Sequence, residues 1–196
     1  NRGGFELLIA GIYNQLKKMK DNYINLARSA LENWVKNGAR IEPPGDCDRE
    51  LLERKNGSFV TLKKKGELRG CIGTFQPTED SLAREIIKNA IRPSSEDPRF
   101  PPVKASELSE LEVSVDVLTE PEECNFEDLD PDKYGIIVSE GSKRGLLLPD
   151  LEGVNSAEQQ IKIAKRKAGI TSENDKIKIQ RFEVERHQEE QSKPST

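Results

Sequence analysis

The segment 111–118 constrains the fold more than any other, because apolar and polar residues alternate along it. Successive side chains of a β-strand point to opposite faces of a sheet, so this alternation predicts a strand with one buried and one polar face. The polar face carries Glu112, Ser114 and Asp116. Such a strand must bury its apolar face against other elements, and the rest of the sequence supplies both strands and helices.

Helical and strand patterns are mixed along the chain. Apolar spacing and capping residues predict helices over about 5–20 and 22–37, a third that Thr78 caps and Pro93 ends, and a fourth from Ser156 to Gly169. Strands are predicted on both sides of an Asn56-Gly57 hairpin turn, at 66–75, in a hairpin of 134–139 and 144–148, and at 176–185 with a bulge near Phe182. This order predicts an α+β fold with helices flanking a mostly antiparallel sheet.

Charge limits the classes of partner. The chain has 196 residues and a formal net charge of -4, with 31 basic residues interleaved with 35 acidic ones. A protein that binds nucleic acid through the phosphate backbone needs clustered Lys and Arg, so the net charge does not support a nucleic-acid partner. A local basic group exists at Lys162, Lys165, Arg166 and Lys167.

Cysteine and histidine usage limits redox and metal chemistry. The three cysteines are widely separated, no Cys-x-x-Cys pair occurs, and His187 is the single histidine. This pattern argues against a disulfide scaffold and a zinc site, so we predict no metal and reduced thiols in the cytoplasm. No apolar run approaches the roughly 20 residues that span a bilayer, and the glycine spacing matches no nucleotide-binding loop, so neither a membrane nor a cofactor is predicted.

The most unusual stretch is Leu68-Arg69-Gly70-Cys71-Ile72-Gly73-Thr74, which sets a cysteine between two glycines. On a strand, Arg69 and Cys71 point to the same face, and a positive charge near a thiol stabilises the nucleophilic thiolate. Gly70 and Gly73 let another backbone or a ligand approach closely. The competing interpretation is an inert core cysteine, because free cysteine is among the most buried residue types.

A base for Cys71 is not evident from the sequence. His187 lies near the terminal tail, so a Cys/His dyad depends on one long-range contact. Asp97 or Glu112 serves as the base only if burial raises its pKa. Asp97 belongs to a proline-stiffened loop at 94–103 that also displays Arg99 and Phe100, and rigid polar loops often carry function.

Four ordered motifs carry a family resemblance. They are the Leu68–Thr74 stretch, Asp97-Pro98-Arg99-Phe100-Pro101-Pro102-Val103, Glu112-Val113-Ser114-Val115 and Arg144-Gly145-Leu146-Leu147-Leu148-Pro149. Together, over about 23–186, they resemble the AMME syndrome chromosomal region candidate family, whose microbial members are called AmmeMemoRadiSam system protein A. The short charged connection 150–155 departs from the longer one usual in that family, which puts any role of that connection in doubt.

The resemblance implies a fold and a candidate site. It implies two unequal lobes within one domain at 21–187 and offers an origin for the helix or linker at 1–20 in an upstream segment. The polar composition of 188–196 predicts a disordered tail. The resemblance also implies genomic company with a Memo-like protein and a radical SAM enzyme. The candidate site gathers the motifs around the cleft between the lobes. It comprises Cys71 as candidate nucleophile, with Arg69, Gly70, Gly73, Asp97, Arg99, Phe100, Glu112 and Ser114 as binding residues.

The family has no established activity, so two hypotheses follow. In the first, the cleft binds a partner or ligand without chemistry, because no positioned base, metal cluster or cofactor motif is present. In the second, the chain is an enzyme subunit that uses Cys71 as nucleophile or redox group, on a nucleic-acid or small-molecule substrate. The first is the more economical interpretation of the sequence.

Overall fold

The computed structural model describes residues 21–171 and 177–189, and within them the chain divides into two compact units. Unit 2 extends from Val117 to Glu185, and unit 1 holds the described residues before and after it. Each unit is built around a four-stranded sheet, as the α+β prediction requires. The helix predicted at 5–20 lies outside the described residues.

Four helices and eight strands form the described fold. The helices are α1 (Asn22–Asn37), α2 (Arg49–Glu53), α3 (Leu82–Ser95) and α4 (Ala157–Ala168). The strands are β1 (Ser58–Lys64), β2 (Glu67–Thr74), β3 (Leu111–Leu118), β4 (Glu122–Glu123), β5 (Gly135–Glu140), β6 (Lys143–Leu147), β7 (Lys178–Phe182) and β8 (Val184–Gln188). Short 3-10 turns lie at Ala105–Glu110 and Phe126–Asp128. Within the described residues, no helix is long and apolar enough to cross a membrane.

The first sheet has the strand order β2-β1-β3-β8, so β2 is an edge strand. Its apolar side packs on α3, where Val60 and Leu62 of β1 and Ile86 of α3 are fully buried. The alternation predicted for 111–118 is confirmed over most of β3, with Glu112 and Ser114 half-buried between buried neighbours. Asp116 departs from it, because it is buried and its carboxylate pairs with Arg186 of β8.

The predicted boundaries of α3 are wrong at both ends. Ser81 is the N-cap, and its hydroxyl accepts a hydrogen bond from the Arg84 N–H, whereas Thr78 bonds to the Glu85 carboxylate. Pro93 lies inside the helix rather than ending it. Proline removes one N–H donor, but the last turn is held by the Glu96 N–H on the Arg92 carbonyl oxygen.

Two further predictions fail for identifiable reasons. No hairpin forms at Asn56-Gly57, because the residues before it belong to helix α2. Gly57 instead permits a close approach, since a Cβ atom there would lie 2.5 Å from the Phe75 carbonyl carbon. The bulge expected near Phe182 is a strand break at Glu183, where the chain leaves the second sheet and enters the first as β8.

Unit 2 contains the predicted hairpin and the fourth helix. Strands β5 and β6 pair with Ser139 opposite Arg144, in a sheet of order β4-β7-β5-β6. Helix α4 is capped by Ser156 and ends at Gly169, whose φ of 64° favours glycine. It packs closely on β6, because a Cβ atom on Gly145 would lie 1.9 Å from the Ala164 carbonyl oxygen.

The predicted tail begins later than expected. Gln188 is the last residue of β8, and Glu189 holds the strand against helix α1 through an ion pair of 2.6 Å between its Oε1 and Arg28 Nε. Its other carboxylate oxygen accepts the Val113 N–H. These two residues therefore belong to the folded part of unit 1, while 190–196 lie outside the described residues.

Candidate functional site

Strand β2 presents Cys71 away from helix α3. Cys71 pairs with Thr61 across the β1/β2 ladder, and both are half-buried, whereas their neighbours Gly70 and Leu62 are buried toward the helix. A Cβ atom on Gly70 would lie 2.6 Å from the Pro93 carbonyl oxygen, so glycine is required there for β2 to approach α3. Gly73 is required for a different contact, because a Cβ atom there would lie 2.4 Å from the ring of Phe59.

Asp97 and Arg99 bind the free edge of β2 at Cys71, and we call this pair the edge clamp. The Cys71 N–H donates to Asp97 Oδ2 at 2.9 Å, and Arg99 Nη2 donates to the Cys71 carbonyl oxygen at 3.4 Å. Arg99 is itself held by Asp97, at 2.9 Å from Nε to Oδ1 and 2.7 Å from Nη2 to Oδ2. The clamp therefore satisfies the outward N–H and C=O groups that an edge strand leaves open.

The two members of the clamp differ in exposure. The Asp97 side chain is 2% exposed and that of Arg99 is 53% exposed. Hydrogen bonds from the Arg99 guanidinium, followed by those from the backbone N–H groups of Cys71 and Arg99, hold the pKa of Asp97 well below its usual range despite burial. The condition under which Asp97 would serve as a base, a pKa raised by burial, is therefore not met.

The Cys71 thiol is not activated by its surroundings. Burial raises its pKa above the ordinary value, and the Asp97 and Asp116 carboxylates raise it further. Opposing them are the charge of Arg99 and a hydrogen bond from Thr61 Oγ1 to Cys71 Sγ at 3.2 Å. Because the net shift is upward, the thiol form predominates at neutral pH, the opposite of an activated nucleophile.

Arg69 does not serve as the positive charge for Cys71. Its Nε and Nη2 atoms each lie 3.1 Å from an oxygen of Glu107, and its side chain is only 12% exposed. The Arg69 hydrogen bond, together with the Lys104 backbone N–H, lowers the pKa of Glu107 to about 2. The residue next to Cys71 in sequence is therefore engaged in a separate structural ion pair.

Phe100 connects the two arginines. The centre of its ring lies 5.4 Å from Arg99 Cζ and 6.0 Å from Arg69 Cζ, within the range of cation–π attraction. The structure thus brings Arg69, Cys71, Asp97, Arg99 and Phe100 together on unit 1. Sequence reasoning missed Thr61 and Glu107 as neighbours of these groups.

The other predicted site residues lie farther along the sheet. Glu112 and Ser114 are half-buried on β3, which β1 separates from β2. On β3, as on β1, half-buried residues alternate with buried ones, which indicates that Glu112 and Ser114 share the face of the sheet that carries Thr61 and Cys71. His187 lies on β8, where its ring stacks on Tyr23 at 3.8 Å and Nδ1 lies 3.0 Å from Asp21 Oδ2.

The described residues were also compared with the ligand sets that hold metal ions. Across 21–171 and 177–189, no group of three or more His, Cys, Asp or Glu side chains is arranged to hold a metal ion. The three cysteines carry free thiols. What the site offers is an exposed guanidinium in a fixed orientation, an aromatic ring and a protonated thiol.

Comparison with known proteins identifies the family. The AMMECR1 family model matches residues 24–187. A Thermotoga maritima protein is 51% identical over 167 residues, covering 84% of this chain and 96% of its own length. A Clostridium acetobutylicum protein is 50% identical over 178 residues, which are 90% of this chain but 38% of that protein's length. The crystal structure of an uncharacterized Pyrococcus horikoshii protein superposes with a TM-score of 0.78 at 36% identity, covering 85% of this chain and 89% of that one. The chain belongs to the AMMECR1 family.

Proposed function

We propose that this chain is a binding module that contacts its partner through Arg99 and Phe100, which Asp97 and the Cys71 backbone hold in place. We call these four residues the β2-edge surface. The observation that carries the proposal is the edge clamp, in which a buried carboxylate fixes an exposed guanidinium. An arginine that is already held in place loses little side-chain entropy on binding, so its hydrogen bonds to a partner contribute more to affinity.

The Arg99 N–H groups that remain unused indicate which chemical group the partner must offer. Nε and Nη2 are used by Asp97 and by the Cys71 carbonyl oxygen, which leaves Nη1 for a group outside the described residues. Nη1 can donate to a carboxylate or a carbonyl oxygen. The Phe100 ring beside it offers apolar contact, so a protein segment with an acceptor group next to an apolar side chain fits this surface best.

The competing function is an enzyme subunit in which Cys71 is the nucleophile or redox group, acting in nucleic-acid or small-molecule modification. It requires a reactive thiolate or a nearby base. The raised pKa of Cys71 and the lowered pKa of Asp97 both favour the binding function instead.

The partners proposed are the Memo-like protein and the radical SAM enzyme that the family resemblance implies. The Clostridium relative supports a role beside another protein domain, because this chain spans only 38% of its length. A domain that works within a longer protein in one organism can bind a separate partner in another.

The test is a binding titration of the purified chain against the Memo-like protein and the radical SAM enzyme encoded in the same genome, measured by calorimetry. We expect a saturable complex with at least one of them. Replacing Arg99 by Ala should weaken it about tenfold or more, as for an interface hot spot. Cys71→Ser should leave the affinity nearly unchanged.

The matched control is Arg49→Ala, which removes an exposed arginine whose ion pair among the described residues is with Glu53 of the same helix. If Arg99→Ala binds as tightly as the control, the β2-edge surface is not the contact. If the complex instead turns over a substrate and Cys71→Ser abolishes that turnover while binding persists, the enzyme hypothesis replaces this one.

A further inference from the structure

A groove on unit 2 is separate from the β2-edge surface. It has a volume of about 950 Å³ and follows helix α4 from Glu158 to the segment after Gly169. Its apolar lining residues are Phe126, Ile161, Ile163 and Ile170. The charged ones are three cations, Lys162, Lys165 and Arg166, and one carboxylate, Glu158. We call it the α4 groove.

One apolar side chain of the groove, that of Phe126, is more exposed than a structural role explains. Phe126 lies in a 3-10 turn and remains 41% exposed, although it is one of the largest apolar side chains of the chain. Ile161 and Ile163 are half-buried and pack against the core of unit 2, and Ile170 belongs to that core. An exposed aromatic ring beside half-buried isoleucines along a groove is typical of a surface that a partner covers.

The cations of the groove also contribute little to the fold. Lys162 and Arg166 are exposed and are one helical turn apart, a spacing at which two like charges destabilise a helix. Neither forms an ion pair with another described residue. Arg166 gains from the dipole at the helix C-terminus, but Lys162 lies in the middle of α4.

We propose that the α4 groove binds an acidic amphipathic helix of a protein partner. Carboxylates on the polar side of such a helix pair with Lys162 and Arg166, while its apolar side covers Phe126 and Ile161. The mostly aliphatic floor suits leucine-type side chains better than nucleotide bases, which stack on aromatic rings. The proposal goes beyond the binding function of unit 1, because it assigns a second surface.

The test uses a fluorescein-labelled model peptide with Leu at positions i, i+3, i+4 and i+7 of each helical repeat and Glu at most others. Fluorescence anisotropy with the full chain should show saturable binding that weakens as salt is added. Reversing both charges, in Lys162→Glu with Arg166→Glu, should weaken binding about tenfold or more, and Phe126→Ala about threefold.

The control for net charge is Arg49→Glu with Lys55→Glu on unit 1, which should bind the peptide like the wild type. Circular dichroism checks that each variant is folded. The proposal is overturned if the wild type shows no saturable binding or if both double variants lose affinity equally. It is also overturned if a peptide with Leu replaced by Ser binds as well, or if a thymidine oligonucleotide binds more tightly. None of these outcomes depends on Arg99, so failure here leaves the proposed function intact.

Discussion

Two arginines flank the Phe100 ring, and the structure uses them differently. Arg69 and Arg99 each offer Nε and Nη2 to one carboxylate, Glu107 and Asp97 respectively. At Arg69 the guanidinium is nearly buried and the carboxylate somewhat exposed, whereas at Arg99 the carboxylate is buried and the guanidinium half exposed. A buried arginine contributes to the fold, and an exposed one held by a buried carboxylate is available to a partner.

Among variants of these two ion pairs, Asp97→Ala should lose the most stability. It removes the acceptor of the Cys71 N–H and leaves Arg99 without its ion pair. We expect the free energy of unfolding to fall by about 3 kcal/mol, because a buried donor loses its partner. Urea denaturation measures this, with Arg99→Ala as the matched variant. Since Arg99 is exposed, its loss should cost about 1 kcal/mol or less. Equal losses in the two variants would mean that the carboxylate does not support the β2 edge.

Arg69→Ala should give the second largest loss, about 2 kcal/mol, because it removes packing on Phe100 and leaves the partly buried Glu107 with Lys64 at 3.6 Å. Affinity for the partner should stay within about twofold of the wild type, as for residues that only support an interface. Calorimetric titration of a folded Arg69→Ala sample provides the measurement. A large loss of affinity at full stability would place Arg69 in the contact surface and remove the distinction between the two arginines.

The two ion pairs should also lose their stabilising effect over different ranges of pH. The folded-state pKa of Glu107 is lowered from 4.5 to about 2. A lowered pKa contributes stability that is fully present above the unfolded-state pKa and is lost as pH falls through the folded-state value. The stability difference between wild type and Glu107→Gln should therefore shrink between about pH 5 and pH 2. For Asp97→Asn it should persist to lower pH, because the pKa of Asp97 lies lower still.

Urea denaturation of both variants at several pH values between neutral and acidic measures this separation. The Arg49→Ala variant, whose ion pair is highly exposed, should show no comparable change with pH. Parallel curves for Glu107→Gln and Asp97→Asn would contradict the assignment of Asp97 as the more strongly stabilised carboxylate.

The elements that carry the candidate site residues are easier to predict from the sequence than the contacts between those residues. The alternation at 111–118 and the prolines of 94–103 indicate β3 and a rigid loop, because both patterns are local. The pairing of Thr61 with Cys71 depends instead on the register between two strands, which no local pattern determines. A regular hairpin that pairs Lys64 with Glu67 would set Thr61 opposite Gly70, and an irregularity between Leu62 and Lys63 shifts the register by one residue.

The ion pair of Arg69 with Glu107 is also not predictable from the sequence, because it depends on a tertiary contact. Adjacency to Cys71 suggested that its charge acts on the thiol, but side-chain ion pairs depend on where the 3-10 turn at Ala105–Glu110 places Glu107. Arg99, 28 residues away from Cys71, reaches its carbonyl oxygen because Asp97 anchors the loop to the β2 edge. Tertiary contacts, rather than sequence neighbours, set the electrostatics of Cys71.

The smallest expected effect is on the pKa of the Cys71 thiol, which Arg99 and Arg69 should influence differently. Arg99 lowers the pKa of the thiol against the larger effect of burial, and no such influence comes from Arg69. In a chain with Cys47→Ser and Cys124→Ser, only Cys71 reacts with iodoacetamide, so the pH dependence of alkylation reports its pKa. Arg99→Gln, which removes the charge but keeps a similar length, should raise the midpoint, because the lowering influence of the Arg99 charge is lost. Arg69→Gln should leave it unchanged. A midpoint below neutral pH in the parent, or a shift caused by Arg69→Gln instead, would mean that the neighbouring arginine does activate the thiol and would favour the enzyme hypothesis.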